Sequence, residues 1–326
     1  MREVEMKMLE RAKELLTSGE VARVVGWKKG EFYFDPVPAS FETVEELDGF
    51  VYNSFCGANL SKYLIADSKK EGKTAIFLKP CDSFSFNQLL KEHRIVRENI
   101  YVIAIECQGK LSVEKMKKLG VSAITEVQEN GDEITVSSLY GESKFARDEV
   151  LLGKCETCKS KQHQAKDEEI IFSEMKAGKK DRFAGVKEIE AMTEDERFAF
   201  WREQLSKCIR CNACRNVCPA CSCIKCVFDN PASGVSAKAN DDKFEEQLFH
   251  IIRAFHVAGR CTDCGECSRV CPQGIPLHLL NRKFIKDIDG LYGEYQAGET
   301  AEGATPLTSY NEGDAEPSEV FNGEEK

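Results

Sequence analysis

Apolar residues recur at two periods along this 326-residue chain, and the two periods divide it. Met6, Leu9, Ala12 and Leu16 stand at helical spacing with Gly19 behind them, which predicts an opening helix and its stop. Two β-prone runs, Val21 to Trp27 and Glu31 to Phe34, flank the turn signal Lys28-Lys29-Gly30. Helical pattern is expected over Ser40 to Leu47 and again over Gly57 to Ser68. Thr74 to Pro80 is an apolar run of strand length, Ser83 to Glu92 reads as helix, and Tyr101 to Ile105 is a second apolar run. Buried parallel strands read as continuous apolar runs joined by a helical crossover, so this is a strand-helix-strand unit. Ser112 to Leu119 predicts one more helix, and Ile124 to Val127 with Glu133 to Val136 predicts a hairpin about Asn130-Gly131.

From Lys154 to about Arg182 the chain turns lysine-rich and polar, as a solvated connector would. Thr193-Glu194-Asp195-Glu196 is a capping-box start for a helix that delivers the chain to Cys208. Phe244 to Ala258 repeats Leu248, Ile251, Ile252 and Phe255 at helical spacing. After Gln296 there are eight acidic residues against Lys326 alone, which reads as a tail that orders only on docking. The expected organisation is an α/β domain with a small, partly parallel sheet over 1–153 and a connector over 154–192. An α-helical domain follows over 193–295, then an acidic tail over 296–326.

Hydrophobic residues make up 42% and charged residues 31%, which selects the soluble globular class. Charge at Arg2, Glu3, Glu5 and Lys7 stands where a signal peptide needs an apolar stretch, and no apolar run approaches the ~20 residues of a spanning helix. A cytoplasmic protein without a membrane span is expected. The formal net charge of -10 argues against nucleic acid as a partner, because a basic stripe would be the footprint.

The chemistry lies in the cysteines. Cys208, Cys211, Cys214 and Cys218 precede Pro219, and Cys261, Cys264, Cys267 and Cys271 precede Pro272 with the same spacing. In this bacterial-ferredoxin spacing three cysteines wrap one cubane and the fourth, before proline, reaches the other. One 4Fe-4S cluster is therefore expected on Cys208, Cys211, Cys214 and Cys271, and a second on Cys261, Cys264, Cys267 and Cys218. The helical part is read as a two-cluster ferredoxin domain. Zinc would leave the third cysteine and the Cys-Pro of each run unexplained. A reducing cytosol, as in an anaerobe, suits sixteen cysteines better than a disulfide framework does.

Eight cysteines lie outside the runs. Cys56 reads as a small buried hydrophobe. Cys81 and Cys107 stand at the carboxyl ends of the two predicted strands, where ligand sites of open α/β sheets collect. With Cys155 and Cys158 they could supply a third four-thiolate site. Cys221, Cys223 and Cys226 follow Cys218 closely and could hold another metal or combine with Cys155 and Cys158; spacing does not decide which thiols share a site. Gly72-Lys73-Thr74 is not a phosphate loop, since Asp67 occupies the upstream glycine position and the triplet precedes a strand. No G-x-G-x-x-G fingerprint is present. His250 and His256 are expected to face solvent or a partner, while Arg210, Arg215, Arg260 and Arg269 are candidates for stabilising reduced clusters.

The cysteine runs and the helix between them, about Thr193 to Leu291, resemble the helical two-cubane domains of heterodisulfide-reductase C-type and succinate-dehydrogenase-type iron-sulfur subunits. Lys79-Pro80-Cys81-Asp82, Glu106-Cys107-Gln108-Gly109 and Cys155-Glu156-Thr157-Cys158 resemble the hydrogenase/dehydrogenase beta-subunit family that serves the deazaflavin coenzyme F-420. That resemblance implies an α/β domain with a flavin and an extra cluster, passing electrons between a hydride carrier and the ferredoxin clusters. The cubane pair here is C-terminal, whereas many relatives place it first, and no motif for gripping FAD stands in the sequence. The expectation is an electron-transfer subunit of a cytoplasmic, anaerobic oxidoreductase of hydrogenase, formate dehydrogenase or heterodisulfide-reductase type. The alternatives are a chain that is itself a flavin-containing oxidoreductase of deazaflavin or NAD(P)H, and a non-redox metal-binding scaffold.

Overall fold

The computed structural model describes residues 2–159, 161–175, 178, 180–233 and 243–309. The chain divides into two compact units, Met1–Asp181 and Arg182–Lys326.

The first unit opens with helix α1 (Arg2–Thr17), which buries Val4, Met8, Ala12 and Leu15 on one face. Gly19, at φ +71°, turns the chain out of it, a conformation that a side chain would strain. Strands β1 (Arg23–Lys28), β2 (Val37–Phe41), β3 (Thr74–Leu78) and β4 (Ile100–Ile105) follow, with helices α2 (Leu64–Asp67) and α3 (Pro80–Lys91) before and after β3. Helix α4 (Val113–Lys118) then leads into β5 (Ile124–Asn130), β6 (Glu133–Ser138) and β7 (Gly141–Ala146). Helix α5 (Gly153–Glu156) and strand β8 (Glu168–Ile170) complete the unit. One sheet runs β2-β1-β3-β4-β8, with only β2 antiparallel; the other is the antiparallel sheet β5-β6-β7.

Each residue of β3 is buried, which is why its sequence shows no alternation. The expected strand-helix-strand unit is present as β3, α3 and β4. The strand expected over Glu31 to Phe34 is instead a turn, in which Asp35 accepts from the Phe32 N–H (2.8 Å) and the Phe32 and Phe34 rings stack. Pairing with β1 passes to Val37–Phe41, an edge strand where Pro38 is tolerated. The helix expected from Ser40 is therefore reduced to a 3-10 turn, Glu45–Gly49. Only Ser61–Tyr63 (3-10) and α2 are helical within 57–68. The chain before them is held open by side chains turned toward α3: Asn59 Nδ2 donates to Ser85 Oγ (2.9 Å) and the Ser61 hydroxyl to the Asp82 carbonyl (2.9 Å).

Strand β8 emerges from the stretch read as a solvated connector. Its pattern is polar because it is an edge, and its side chains are held by ions: Arg11 Nε meets Glu168 at 2.8 Å, and Asp167 Oδ2 accepts from the Val102 N–H at 2.7 Å. Strand β7 was equally hidden by its polar, exposed pattern.

The second unit is helical: α6 (Ala184–Glu190), α7 (Glu194–Leu205), α8 (Ala213–Asn216), α9 (Lys243–His256), α10 (Glu266–Arg269) and α11 (Leu277–Tyr292). The capping box of α7 is formed, with Glu196 N–H donating to Thr193 Oγ1 (3.3 Å) and Thr193 N–H to Glu196 Oε2 (2.8 Å). Leu205, Phe249, Ile275 and Leu277 form the core together with Cys214 and Cys267. At the start of the segment read as an acidic tail, Ala297 is buried. The remainder of that reading, residues 310–326, lies outside the described residues.

Candidate metal centres

Each cysteine of the second run stands 53 residues after its counterpart, Cys208 to Cys261 and onward, and the backbone repeats with it. Arg210 and Asn212 in the first loop have φ +51° and +61°; Asp263 and Gly265 at the same offsets have +52° and +68°. Three of these four are not glycine, so each loop is held in a left-handed turn that its residues disfavour. Left-handed turns of this kind can present backbone N–H groups to an anion, and the Arg210 backbone N–H lies 3.4 Å from Cys208 Sγ. Helices α8 and α10 follow these loops directly.

The two Cys-Pro cysteines cross between the loops. Cys208, Cys211, Cys214 and Cys271 line one pocket, with Phe249 and His250 closing it. Burial pushes the Cys208 thiol up to about 12 and Cys214 up to about 11, where neighbouring Cys271 and Cys211 add to the effect. Burial also raises Cys261, with Cys218 and Cys264 among its neighbours. It takes Cys267 to about 12, again beside Cys218 and Cys264. Thiols this costly to ionise bare are matched to a cation that would stabilise the thiolate. Among the described residues no three His, Cys, Asp or Glu side chains close tightly enough for one bare metal ion. A four-iron cube holds its thiolates further apart than a lone ion does.

Helix α9 corrects the expected orientation of its faces. Ile251 and Phe255 of the apolar stripe are 42% and 61% exposed, while Glu246, His250 and Arg253 are buried. Of the two histidines expected at the surface, His256 is exposed and His250 is not. His250 is pulled down to about 3 by burial and by Arg253 and Arg210. Both of its ring nitrogens, and Nε and Nη1 of Arg253, are buried without a hydrogen-bond partner. The unmet Arg253 N–H groups, and the single N–H of the neutral His250 ring, fit cluster sulfurs as acceptors. The Arg253 guanidinium is held charged against its burial by Cys267 of the second run, Cys218 and Cys214 of the first, and Cys221 just after it. Sequence reasoning named four other arginines and missed this one. The available signal was polar residues at 246, 250 and 253 sharing one helical stripe with Phe249.

The four arginines named in advance are each engaged. Arg210 lies 4.4 Å from the Phe249 ring centroid and 3.5 Å from Glu246, and its N–H reaches Cys208 Sγ at 3.4 Å. Arg215 pairs with Asp229 (2.8 Å), Arg269 with Glu266 (2.8 Å), and Arg260 donates to the His256 carbonyl (3.0 Å). Arg282, also unforeseen, pairs at 2.7 Å with Asp263 of the second loop, and Asn281 Nδ2 reaches Cys267 Sγ at 3.7 Å.

In the first unit Cys81 follows β3 at the start of α3, and Cys107 follows β4. A bridge between Leu111 and Leu151 brings the chain after β4 alongside the turn that carries Cys155. Gly109, at φ +85°, lets this turn through: a Cβ there would stand 2.9 Å from Leu151 Cδ2 and 3.7 Å from Cys155 Cβ. Cys155 Sγ accepts from the Lys110 N–H at 3.3 Å. Burial raises the Cys155 thiol, which Cys107 and Cys158 adjoin, and raises Cys81, which Asp82 and Cys158 adjoin. Thiols from three stretches of the sequence are thus linked pairwise, Cys107 to Cys155 and Cys81 to Cys158. Cys155 also reaches the wall of a cleft of ≈ 830 Å³ shared by Tyr33, Glu106, Arg147 and Lys180.

Cys56 is fully buried, accepts from the Asn53 N–H (3.3 Å), and is pushed up to about 11 by burial. Three thiols remain. Cys221 adjoins Cys218, Cys226 adjoins Arg215, and Cys223 is exposed.

Residues 204–275 match the model of the 4Fe-4S dicluster domain. The chain is 25% identical over 337 residues to the F420-dependent formate dehydrogenase subunit beta of Methanocaldococcus jannaschii, covering 86% of this chain and 88% of that one. It is 24% identical over 277 residues to the F420-dependent formate dehydrogenase 1 subunit beta of Methanococcus maripaludis, covering 66% and 72%. A chain of the F420-reducing NiFe hydrogenase complex from Methanosarcina barkeri superposes at a TM-score of 0.35 with 12% identity. It covers 47% of this chain and 62% of that one.

Proposed function

Because the chain carries a C-terminal 4Fe-4S dicluster domain and a region homologous to the beta subunit of F420-dependent formate dehydrogenase, we propose that it is an iron-sulfur electron-transfer subunit. It relays electrons between a flavin or deazaflavin module and a catalytic partner within an oxidoreductase complex. The observation that carries this is the shared pocket of Cys208, Cys211, Cys214 and Cys271, with Cys218 among the opposite trio. The first four hold one cubane; Cys261, Cys264, Cys267 and Cys218 hold the other. Cys81, Cys107, Cys155 and Cys158 hold a third.

Bound cubanes supply one-electron carriers at potentials set by burial, charge and hydrogen bonds to sulfur. This chain's residues supply those settings. The Arg210 backbone N–H donates to Cys208 Sγ, Asn281 donates to Cys267 Sγ, and Phe249 and Ile275 exclude water from the first pocket. Crossed ligands tie the two loops to one another, which fixes the separation an electron must cross.

A second reading, in which the chain itself reacts with a hydride carrier, is favoured by the cleft beside Cys155. A two-electron cofactor seated there would be next to a one-electron acceptor. Anaerobic purification with iron, sulfide and flavin quantification tests both. About eight irons confine clusters to the two runs, and about twelve add the first unit. Bound flavin, with reduction of a deazaflavin by the chain alone, selects the second reading. Zinc without redox-active iron refutes both.

No helix among the described residues is long and apolar enough to cross a membrane. The relatives are subunits of formate dehydrogenases, so the partner we propose is the catalytic subunit of such a complex.

A further inference from the structure

Three lysine ammonium groups converge on one loop of the first unit. Lys79 Nζ donates to the Ala58 carbonyl (2.7 Å), Lys110 Nζ to the Asn53 carbonyl (2.8 Å) and Lys154 Nζ to the Gly57 carbonyl (2.7 Å). Lys79 and Lys110 are each only 1% exposed. Each also lies over an aromatic face, Lys79 at 4.4 Å from the Trp27 ring centroid and Lys110 at 3.8 Å from that of Tyr52. Asp82 pairs with Lys79 at 2.7 Å. Among the described residues no carboxylate stands within ion-pair distance of Lys110, and the nearby Glu129 is bound to Arg147 at 2.9 Å.

A buried ammonium satisfied by a carbonyl and a ring face has its hydrogen bonding met but not its charge. Both kinds of partner are neutral. Besides Asp82 at Lys79 and the more distant Glu129 at Lys110, the anion-forming groups that face these lysines are thiols: Cys107 and Cys56 toward Lys110, and Cys81 toward Lys79 and Lys154. Cys81 and Cys107 belong to the four-thiol group, and Lys79 and Lys154 flank Cys81 and Cys155 in sequence. An oxidised cubane on four thiolates carries about two negative charges. It would supply the countercharge that Lys110 lacks and add to that of Asp82 on Lys79.

We propose that Lys79, Lys110 and Lys154 form a cationic cradle, braced on the 53–58 loop, that balances the charge of a four-thiolate cluster on Cys81, Cys107, Cys155 and Cys158 and raises its reduction potential. Adding an electron makes such a cluster more negative, and a fixed buried cation favours the reduced form. The lysines are positioning residues, since they act on the cluster through charge and touch no substrate. The inference rests on the third cluster proposed above. It goes beyond that reading in assigning to this centre a higher potential than its ligands alone would set, suited to drawing electrons out of the adjoining cleft.

The test compares the unmodified full chain with Lys110→Met, Lys154→Met and Lys110→Arg, purified anaerobically. Each is assayed for iron and by redox titration followed by electron paramagnetic resonance. Cys155→Ser identifies which signal belongs to the first unit. Removing one ammonium is expected to lower the reduced-to-oxidised ratio of that signal at fixed potential by about tenfold, ~59 mV for one electron. The C-terminal signals should not move, and Lys110→Arg should keep the unmodified value. If Lys110→Met loses the cluster or fails to fold, Lys154→Met and Lys110→Arg carry the comparison, because Lys154 lies at the edge of the cradle. Twelve irons with an unshifted potential in Lys154→Met would overturn the cradle and leave the third cluster standing. Eight irons in the unmodified chain would remove the third cluster itself, and the cradle with it.

Discussion

Replacing Arg253 by methionine removes a buried positive charge from between the two cysteine loops while keeping most of the apolar stem. Arg253 is 3% exposed, and its sulfur neighbours include Cys214 and Cys218 from the first run and Cys267 from the second. For a unit charge ~7 Å from a cluster at an effective dielectric constant of ~20, the interaction would be worth about 2 kcal/mol. For a one-electron couple that corresponds to roughly 90 mV. Both C-terminal midpoints should therefore move to lower potential in Arg253→Met, because the lost cation favoured the more negative, reduced clusters. Arg253→Lys retains the charge, though not the forked donors, and should recover most of the shift. The assay is a potentiometric titration of anaerobically purified full chain, with iron content measured on the same sample. Eight irons in the C-terminal pair together with unchanged midpoints in Arg253→Met would refute the electrostatic role and leave Arg253 a packing residue.

The proposed crossed ligation makes a distinctive prediction: Cys271→Ser should disturb the cluster assigned to Cys208, Cys211 and Cys214, and Cys218→Ser the one assigned to Cys261, Cys264 and Cys267. Comparing each variant's resonance spectrum with that of a serine substitution within each trio checks this; matching within the same run would refute it. Arg282→Met strands the buried Asp263 carboxylate, whose side chain is 3% exposed, and should destabilise the second unit by about 3–5 kcal/mol, read as a lower thermal midpoint. His278 is drawn down to about 4 by burial, with Arg282 adding to the effect. The unfolded chain then binds the extra proton first, so stability is full above about 6.5 and falls as pH drops toward about 4. Melting curves of the iron-loaded chain should follow that window, and His278→Gln should flatten this part of the profile.

Much of the first unit was legible because β3 and β4 are buried on both faces. Nothing but a continuous apolar run satisfies such a position, so Thr74 to Leu78 and Ile100 to Ile105 announce themselves. Strands β7 and β8 failed to register for the opposite reason. An edge strand needs only a backbone partner, and Glu168 and Asp167 are held there by Arg11 and Arg97, which are far away in sequence. Helix α9 misled in a more informative way. Its periodicity gave the right element, yet the face it buries carries Glu246, His250 and Arg253 beside Phe249, since that face meets thiols as well as hydrocarbon.

By itself the amino-acid order determined the two ferredoxin-type runs, because loop-wrapped thiols must lie two or three residues apart, and such spacing is local. It also determined that Cys81 and Cys107 end strands. Only tertiary structure decided that these two thiols meet Cys155 and Cys158, and that Lys79, Lys110 and Lys154 lean on one loop beside them. Charge interactions depend on distance and burial through space, and neither quantity has a period that a linear pattern can carry.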